Sequence, residues 1–194
     1  MRGDLSRSPL AFREQAMDYQ TLKSEPVFEG KVFKVRIDEV ATPSGSRMRV
    51  DVVEHRGAVA ILPIDQEGRL WFVRQYRHPA EGWLLEIPAG TLSSDEDPED
   101  CARRECREEV GMAPGRLELL GAGFMAPGYS TEYIHIYLAS ELTPSPLPQD
   151  EDEDLRVVKL TWQQALEAMG SGEIQDIKTL AALGLAHVRG LADA

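Results

Sequence analysis

Apolar and polar positions change rhythm several times along the chain, and each change marks an element. Across residues 27–55 they alternate. Phe33, Val35 and Ile37 stand against Lys34, Arg36 and Asp38, and Val50 and Val52 stand against Arg49 and Asp51. A period of two predicts half-buried strands, and Thr42-Pro43-Ser44-Gly45 supplies the turn of a hairpin or meander. Residues 57–64 (GAVAILPI) are apolar throughout, which predicts a strand covered on both faces. Further strands are expected at 69–75, 83–88, 116–120, 132–139 and 155–160. Helices are expected at 98–110, 162–169 and 174–187, the last with Ile177, Leu180, Ala181 and Leu185 as its apolar positions. Asp97 suits the N-cap of the first helix, Pro98 its first position and Asp100 a capping-box acid, and Gly111 ends it. Strands on both sides of a helix, with more helices at the end, predict an α/β fold, a sandwich around a mixed sheet. The expected organisation is a polar, mobile N-terminus at 1–20, a small β-region at 21–56 and the main domain at 57–194.

Composition narrows the function by exclusion. The net charge is -12, which argues against a nucleic-acid surface, since that needs clustered lysine and arginine. No apolar run reaches the length of a membrane span, and the first twenty residues lack the apolar core of a secretory signal. A cytoplasmic protein with no membrane partner is expected. Cys101 and Cys106 are five apart on the expected helix, about 8–9 Å between Cα atoms, beyond disulfide reach. They read as two small, partly buried side chains in a reducing compartment.

The chemistry concentrates in residues 90–112. Gly90 is followed after five residues by Glu96, and after seven more by Arg104-Glu105-Cys106-Arg107-Glu108-Glu109-Val110-Gly111. Glu105 and Glu109 are four apart on one helix and Glu108 is three from Glu105, so all three project from one face. Carboxylates crowded in this way repel one another unless a cation sits among them, and hard divalent ions favour such oxygens. A solvated acidic helix paired with Arg103, Arg104 and Arg107 is the plainer alternative for a bare run of charges. The full spacing speaks against it.

That spacing resembles the signature of the Nudix hydrolases, with Cys106 where the family more often has Leu, Ile or Val. The resemblance implies the Nudix α/β/α sandwich and metal-dependent hydrolysis of a nucleoside-diphosphate-linked substrate. It implies Glu105, Glu109 and the Ala89 carbonyl as ligands of Mg²⁺ (or Mn²⁺), with Glu108 as an additional ligand or catalytic group. Glu96 and Arg104 would brace the loop against the helix, and Gly90 and Gly111 would meet backbone demands. Trp83-Leu84-Leu85-Glu86-Ile87-Pro88-Ala89-Gly90 resembles the lead-in of the ADP-ribose pyrophosphatases, and Pro127 lies sixteen residues after Gly111, followed by Gly128 and Glu132. Gln75-Tyr76-Arg77-His78 resembles the strand end that carries a diphosphate-contacting arginine. Arg77 is therefore the expected clamp, with Arg56 and Arg74 as weaker candidates, Glu86 as metal support or backbone cap, and Glu132 as a contact to substrate hydroxyls. The acidic run 150–154 resembles the loop that supplies the general base, placing Glu151 there and Glu153 beside it; a solvated loop is the alternative. The expected reaction is hydrolysis of ADP-ribose to AMP and ribose 5-phosphate. The rivals are GDP-mannose or another nucleotide sugar, dinucleoside polyphosphates (suggested by Tyr129) and a non-catalytic ADP-ribose sensor. The resemblance also implies a homodimer built through the N-terminal β-region.

Overall fold

The computed structural model describes residues 18–149 and 154–191. The chain divides between Val52 and Val53 into two units. The first is a three-stranded sheet in the order β1 (Gln20–Glu29), β2 (Lys34–Ala41), β3 (Arg47–Glu54). Strands β1 and β2 run antiparallel, with register slips between Thr21 and Lys23 and between Pro26 and Phe28. Gly45, at φ +82°, closes the turn into β3, its N–H donating to the Thr42 carbonyl at 2.9 Å. Every residue of β1 is exposed. This explains why the strand starts well before the alternation at Val27: with neither face buried, no period of two is required of it.

The second unit is held together by β4 (Ala58–Pro63), all six residues of which are buried. Ala58, Ala60 and Leu62 join one apolar cluster, and Val59 and Ile61 join another. The continuous apolar run therefore has the two-sided burial expected of it. Strand β4 pairs in parallel with β9 (Tyr133–Pro144) and antiparallel with β7 (Ala89–Thr91), and β8 (Met112–Phe124) completes the mixed sheet β7-β4-β9-β8. A second, antiparallel sheet has the order β10-β5-β6, from β10 (Leu155–Leu160), β5 (Leu70–Arg77) and β6 (Gly82–Glu86). Helix α1 (Pro98–Glu109) packs through Cys101, Ala102 and Cys106 on the Val59 side. Helices α2 (Trp162–Ser171) and α3 (Ile177–Val188) pack on the Ala60 side through Ala165, Ala168, Ala182, Leu183 and Ala186. This is the expected α/β sandwich. Fully buried side chains such as Phe72, Leu62 and Ile61 each contribute about 1.5–3 kcal/mol.

Several boundaries differ from expectation for physical reasons. The strands of the second unit form two sheets rather than one. The strand expected at 83–88 ends at Glu86, and Ala89–Thr91 beyond it forms the separate short strand β7; between them the Pro88 carbonyl accepts from Ile61 N–H at 2.8 Å. Strand β8 is thirteen residues long although Pro114, Gly115 and Gly121 read as breakers. It is an edge strand, where proline is tolerated, and it absorbs an irregularity between Leu119 and Gly121. Gly121 suits the close packing there, because a Cβ would stand 3.0 Å from Leu185 Cδ1. Helix α3 starts at Ile177, capped by Asp176, and not at 174; Ile174 is buried in the preceding loop. At the start of α1 the Asp97 carboxylate accepts from Glu99 N–H at 2.8 Å. Asp100 is exposed and makes no return bond among the described residues, so the expected capping box does not form. The expectation of mobility for 1–17 lies outside the described residues. No helix among the described residues is long and apolar enough to cross a membrane.

Candidate active site

Helix α1 buries Cys101, Ala102, Glu105, Cys106 and Glu109, a stripe at helical spacing that sets two carboxylates in line with two thiols. Both thiols are free and buried, and burial pushes each up to about 12, so they stay neutral. The carboxylates meet β7. Glu105 fits because residue 90 is glycine: a Cβ there would lie 1.9 Å from its Oε1 and 2.0 Å from its Cδ, inside any real contact. The Ala89 N–H donates to Glu109 Oε2 at 3.3 Å. Gly111, at φ +72°, takes the left-handed conformation just past the helix end.

Arg104 joins this pair to two further acids. Its Nε and Nη2 donate to the two Glu96 oxygens at 2.9 and 3.1 Å, and its Nη1 donates to Glu105 Oε1 at 2.6 Å and to Glu108 Oε2 at 2.8 Å. Glu96 also accepts from Ser93 N–H at 2.9 Å, which ties the preceding loop to the helix. The Arg104 hydrogen bonds hold the Glu96 carboxyl down to about 2, and the same bonds, with the Glu105 charge behind them, raise the guanidinium above its ordinary value.

A second charged cluster joins the last residue of β5, Arg77, to the last residue of β6, Glu86. Arg77 donates through Nε and Nη2 to both oxygens of Glu86, at 2.9 and 2.8 Å, and Lys178 of α3 reaches Glu86 Oε2 as well. Burial alone would raise the Glu86 carboxyl, but Arg77 and Lys178 outweigh it and hold it below the ordinary range. The bonds to Glu86 raise Arg77, helped by the fields of Glu109 and Asp176. Asp176 accepts from Lys178 Nζ at 3.0 Å and from Thr179 N–H and Oγ1 at 3.0 and 2.5 Å, and Thr179 Oγ1 accepts from Ile87 N–H at 2.9 Å. Sequence reasoning missed Lys178, Asp176 and Thr179. The helix expected from 174 placed Asp176 inside it rather than at its cap, and nothing marked out a single lysine beside it.

The comparisons with known proteins bear on both clusters. The NUDIX domain family model matches residues 54–183, a span that contains every residue of the two clusters. The chain belongs to the Nudix family. An ADP-ribose pyrophosphatase of Bacillus subtilis (strain 168) is 36% identical over 171 residues, covering 87% of this chain and 92% of its own. A GDP-mannose pyrophosphatase of Yersinia enterocolitica is 33% identical over 172 residues, covering 83% of this chain and 90% of its own. The crystal structure of an ADP compounds hydrolase superposes with a TM-score of 0.80 at 26% identity, covering 91% of this chain and 97% of that one.

Nudix hydrolases work with divalent metals, so the acids of α1 must be tested as a cation site. Among the described residues, no three acidic, histidine or cysteine side chains already stand as a cage. Arg104 Nη1 lies between Glu105 and Glu108, where it supplies the positive charge. The donor chemistry fits a hard divalent ion: buried carboxylates of Glu105 and Glu109, half-buried Glu108 beside them, and the opening that Gly90 leaves for the Glu105 carboxylate. A cation among these oxygens would take over the neutralising role of Nη1, while Arg104 keeps its two bonds to Glu96.

The remaining candidates are more scattered. Arg56 is exposed. Arg74 pairs with Glu173 and lines a cavity of about 350 Å³ against α2, together with Leu85, Val158 and Gln164. Pro127 and Gly128 are exposed in a turn closed by Tyr129 N–H to the Ala126 carbonyl at 3.1 Å. The Tyr129 side chain is exposed and its carbonyl accepts from Val53 N–H at 2.7 Å. Glu132 is half-buried, with no side-chain partner among the described residues. Glu151 and Glu153 lie outside the described residues.

Proposed function

We propose that the chain hydrolyses the diphosphate bond of ADP-ribose, giving AMP and ribose 5-phosphate, with Mg²⁺ as its metal and Mn²⁺ as a substitute. The observation that carries the reading is the Glu105–Gly90 fit, a carboxylate seated where no other residue type leaves room, beside buried Glu109. Divalent cations held by Glu105, Glu109, Glu108 and the Ala89 carbonyl would neutralise the diphosphate and acidify water. Glu151, with Glu153 beside it, takes the proton from the attacking water. Arg77 offers its guanidinium fork to the diphosphate, with Arg56 as an outlying second cation. Glu132 accepts from substrate hydroxyls beside the Pro127-Gly128 turn. Glu86 holds Arg77 in place until substrate binds, Glu96 and Arg104 hold the loop on the helix, and Gly111 ends the helix. ADP-ribose is preferred on the 36% identity to an ADP-ribose pyrophosphatase across most of both chains, joined to the Pro127…Glu132 spacing. GDP-mannose is the second reading, favoured by a GDP-mannose pyrophosphatase that also spans most of this chain.

The protein acts in the cytoplasm as a homodimer formed through the β-region of 21–56. The support is exposed apolar surface along the edge strand and its turn: Leu22, Val27, Phe28, Val32 and Phe33.

Site-directed variants test the roles. Glu109→Gln should lower turnover by at least ~10²-fold at unchanged melting temperature; near-normal turnover rejects its metal role. Of Glu151→Gln and Glu153→Gln, the first should lose more at saturating Mg²⁺. If both match the wild type, the acidic loop holds no base.

A further inference from the structure

The Glu86 carboxylate is 1% exposed and has two cationic partners. This is one more than a single buried charge needs. Arg77 already spends Nε and Nη2, one edge of its fork, on Glu86. A guanidinium held in this way has only its Nη1–Nη2 edge left for phosphate oxygens, so to bring its Nε–Nη2 edge to the diphosphate as well Arg77 must release Glu86. Release would strand a buried carboxylate, and an uncompensated buried charge costs several kcal/mol. The second partner removes that cost.

We infer that Lys178 is the standing counter-ion of Glu86, a positioning residue that leaves Arg77 free to turn to the substrate diphosphate. Its side chain is only 12% exposed, against 39% for Arg77, so Arg77 is the partner with access to solvent and ligand. Its anchorage points the same way. Lys178 also contacts Asp176, which caps α3 through Thr179, and Thr179 Oγ1 accepts from the amide of Ile87, the residue after Glu86. The lysine is therefore referenced to the same stretch of backbone as the carboxylate it neutralises, and it stays when Arg77 moves. The inference rests on the proposed role of Arg77 at the diphosphate.

The test combines unfolding with kinetics. Because either cation alone satisfies Glu86, Arg77→Met and Lys178→Met should each fold and each lower the melting temperature by less than ~4 °C. The double variant should lose more than the sum of the two, by more than ~8 °C in all. Additive losses, or a Lys178→Met protein that does not fold with Arg77 still present, overturn the counter-ion role. In ADP-ribose hydrolysis with Mg²⁺, Lys178→Met should trap Arg77 on Glu86 and raise KM at least ~10-fold, with kcat within ~3-fold. Lys178→Arg should keep the wild-type KM. Adding Glu86→Gln to Lys178→Met should restore KM by releasing Arg77, a rescue that a merely structural lysine does not give. An unchanged KM in Lys178→Met, or no rescue, overturns the inference. A wild-type protein inactive on every nucleotide sugar counts against the enzymatic reading instead, and the unfolding comparison still decides the role of Lys178.

Discussion

At position 90 a single hydrogen decides whether the site can assemble. Replacing Gly90 with alanine places a methyl carbon 1.9 Å from Glu105 Oε1, and the backbone of β7 is fixed by its pairing with β4 at Ala58, Val59 and Ala60. The carboxylate must move instead, by an ångström or more. A displacement of that size is worth about 10²-fold in rate, so Gly90→Ala should cut turnover by at least that factor while the melting temperature stays near wild type. Wild-type turnover would mean that Glu105 need not sit there. The importance of Gly90 was legible in the sequence as a fixed spacing, but its reason was not, because the approach depends on β7 meeting α1 across the fold. The same holds for Glu86. Its ion pairs with Arg77 and Lys178 could not be read from the chain, the lysine lying 92 positions further along.

At the scale of the element, α1 and its preceding loop form one electrostatic unit around Arg104. The Glu96 carboxyl falls from its ordinary value near 4.5 to about 2 on folding, so the protonated form favours the unfolded chain. The stabilisation is present in full above about pH 4.5 and is lost as the pH falls through about 2. Glu96→Gln should lower the melting temperature at pH 7 by roughly 3–8 °C and flatten its fall between pH 5 and 2. A variant with the wild-type acid slope would place the acid-labile group elsewhere. Helix α1 was legible because its cap, proline and charge spacing are local features. Strand β1 and the ends of β8 were not. The first has no buried face to pattern it, and the second continues through Pro114 and Gly121 only because it lies at an edge and packs Gly121 under Leu185.

For the whole molecule, the alternation of β4 between two apolar clusters already implied helices on both sides of the sheet, and the fold follows from it. The split into two sheets depends on pairings between distant strands, which periodicity cannot encode. The proposed homodimer belongs to this scale. Sedimentation at micromolar concentration should give twice the 21.6 kDa chain mass, and Phe28→Asp, on the exposed strand β1, should shift it to the monomer. A wild-type monomer removes the dimer from the account.

Product analysis of a substrate panel decides whether the protein is a diphosphate hydrolase with ADP-ribose as its substrate. With Mg²⁺ present, ADP-ribose should yield AMP and ribose 5-phosphate with kcat/KM at least ~10-fold above that for GDP-mannose, diadenosine polyphosphates or NADH, and chelation of the metal should abolish the reaction. Faster hydrolysis of GDP-mannose would contradict the substrate, and no hydrolysis of any member of the panel would contradict the enzyme.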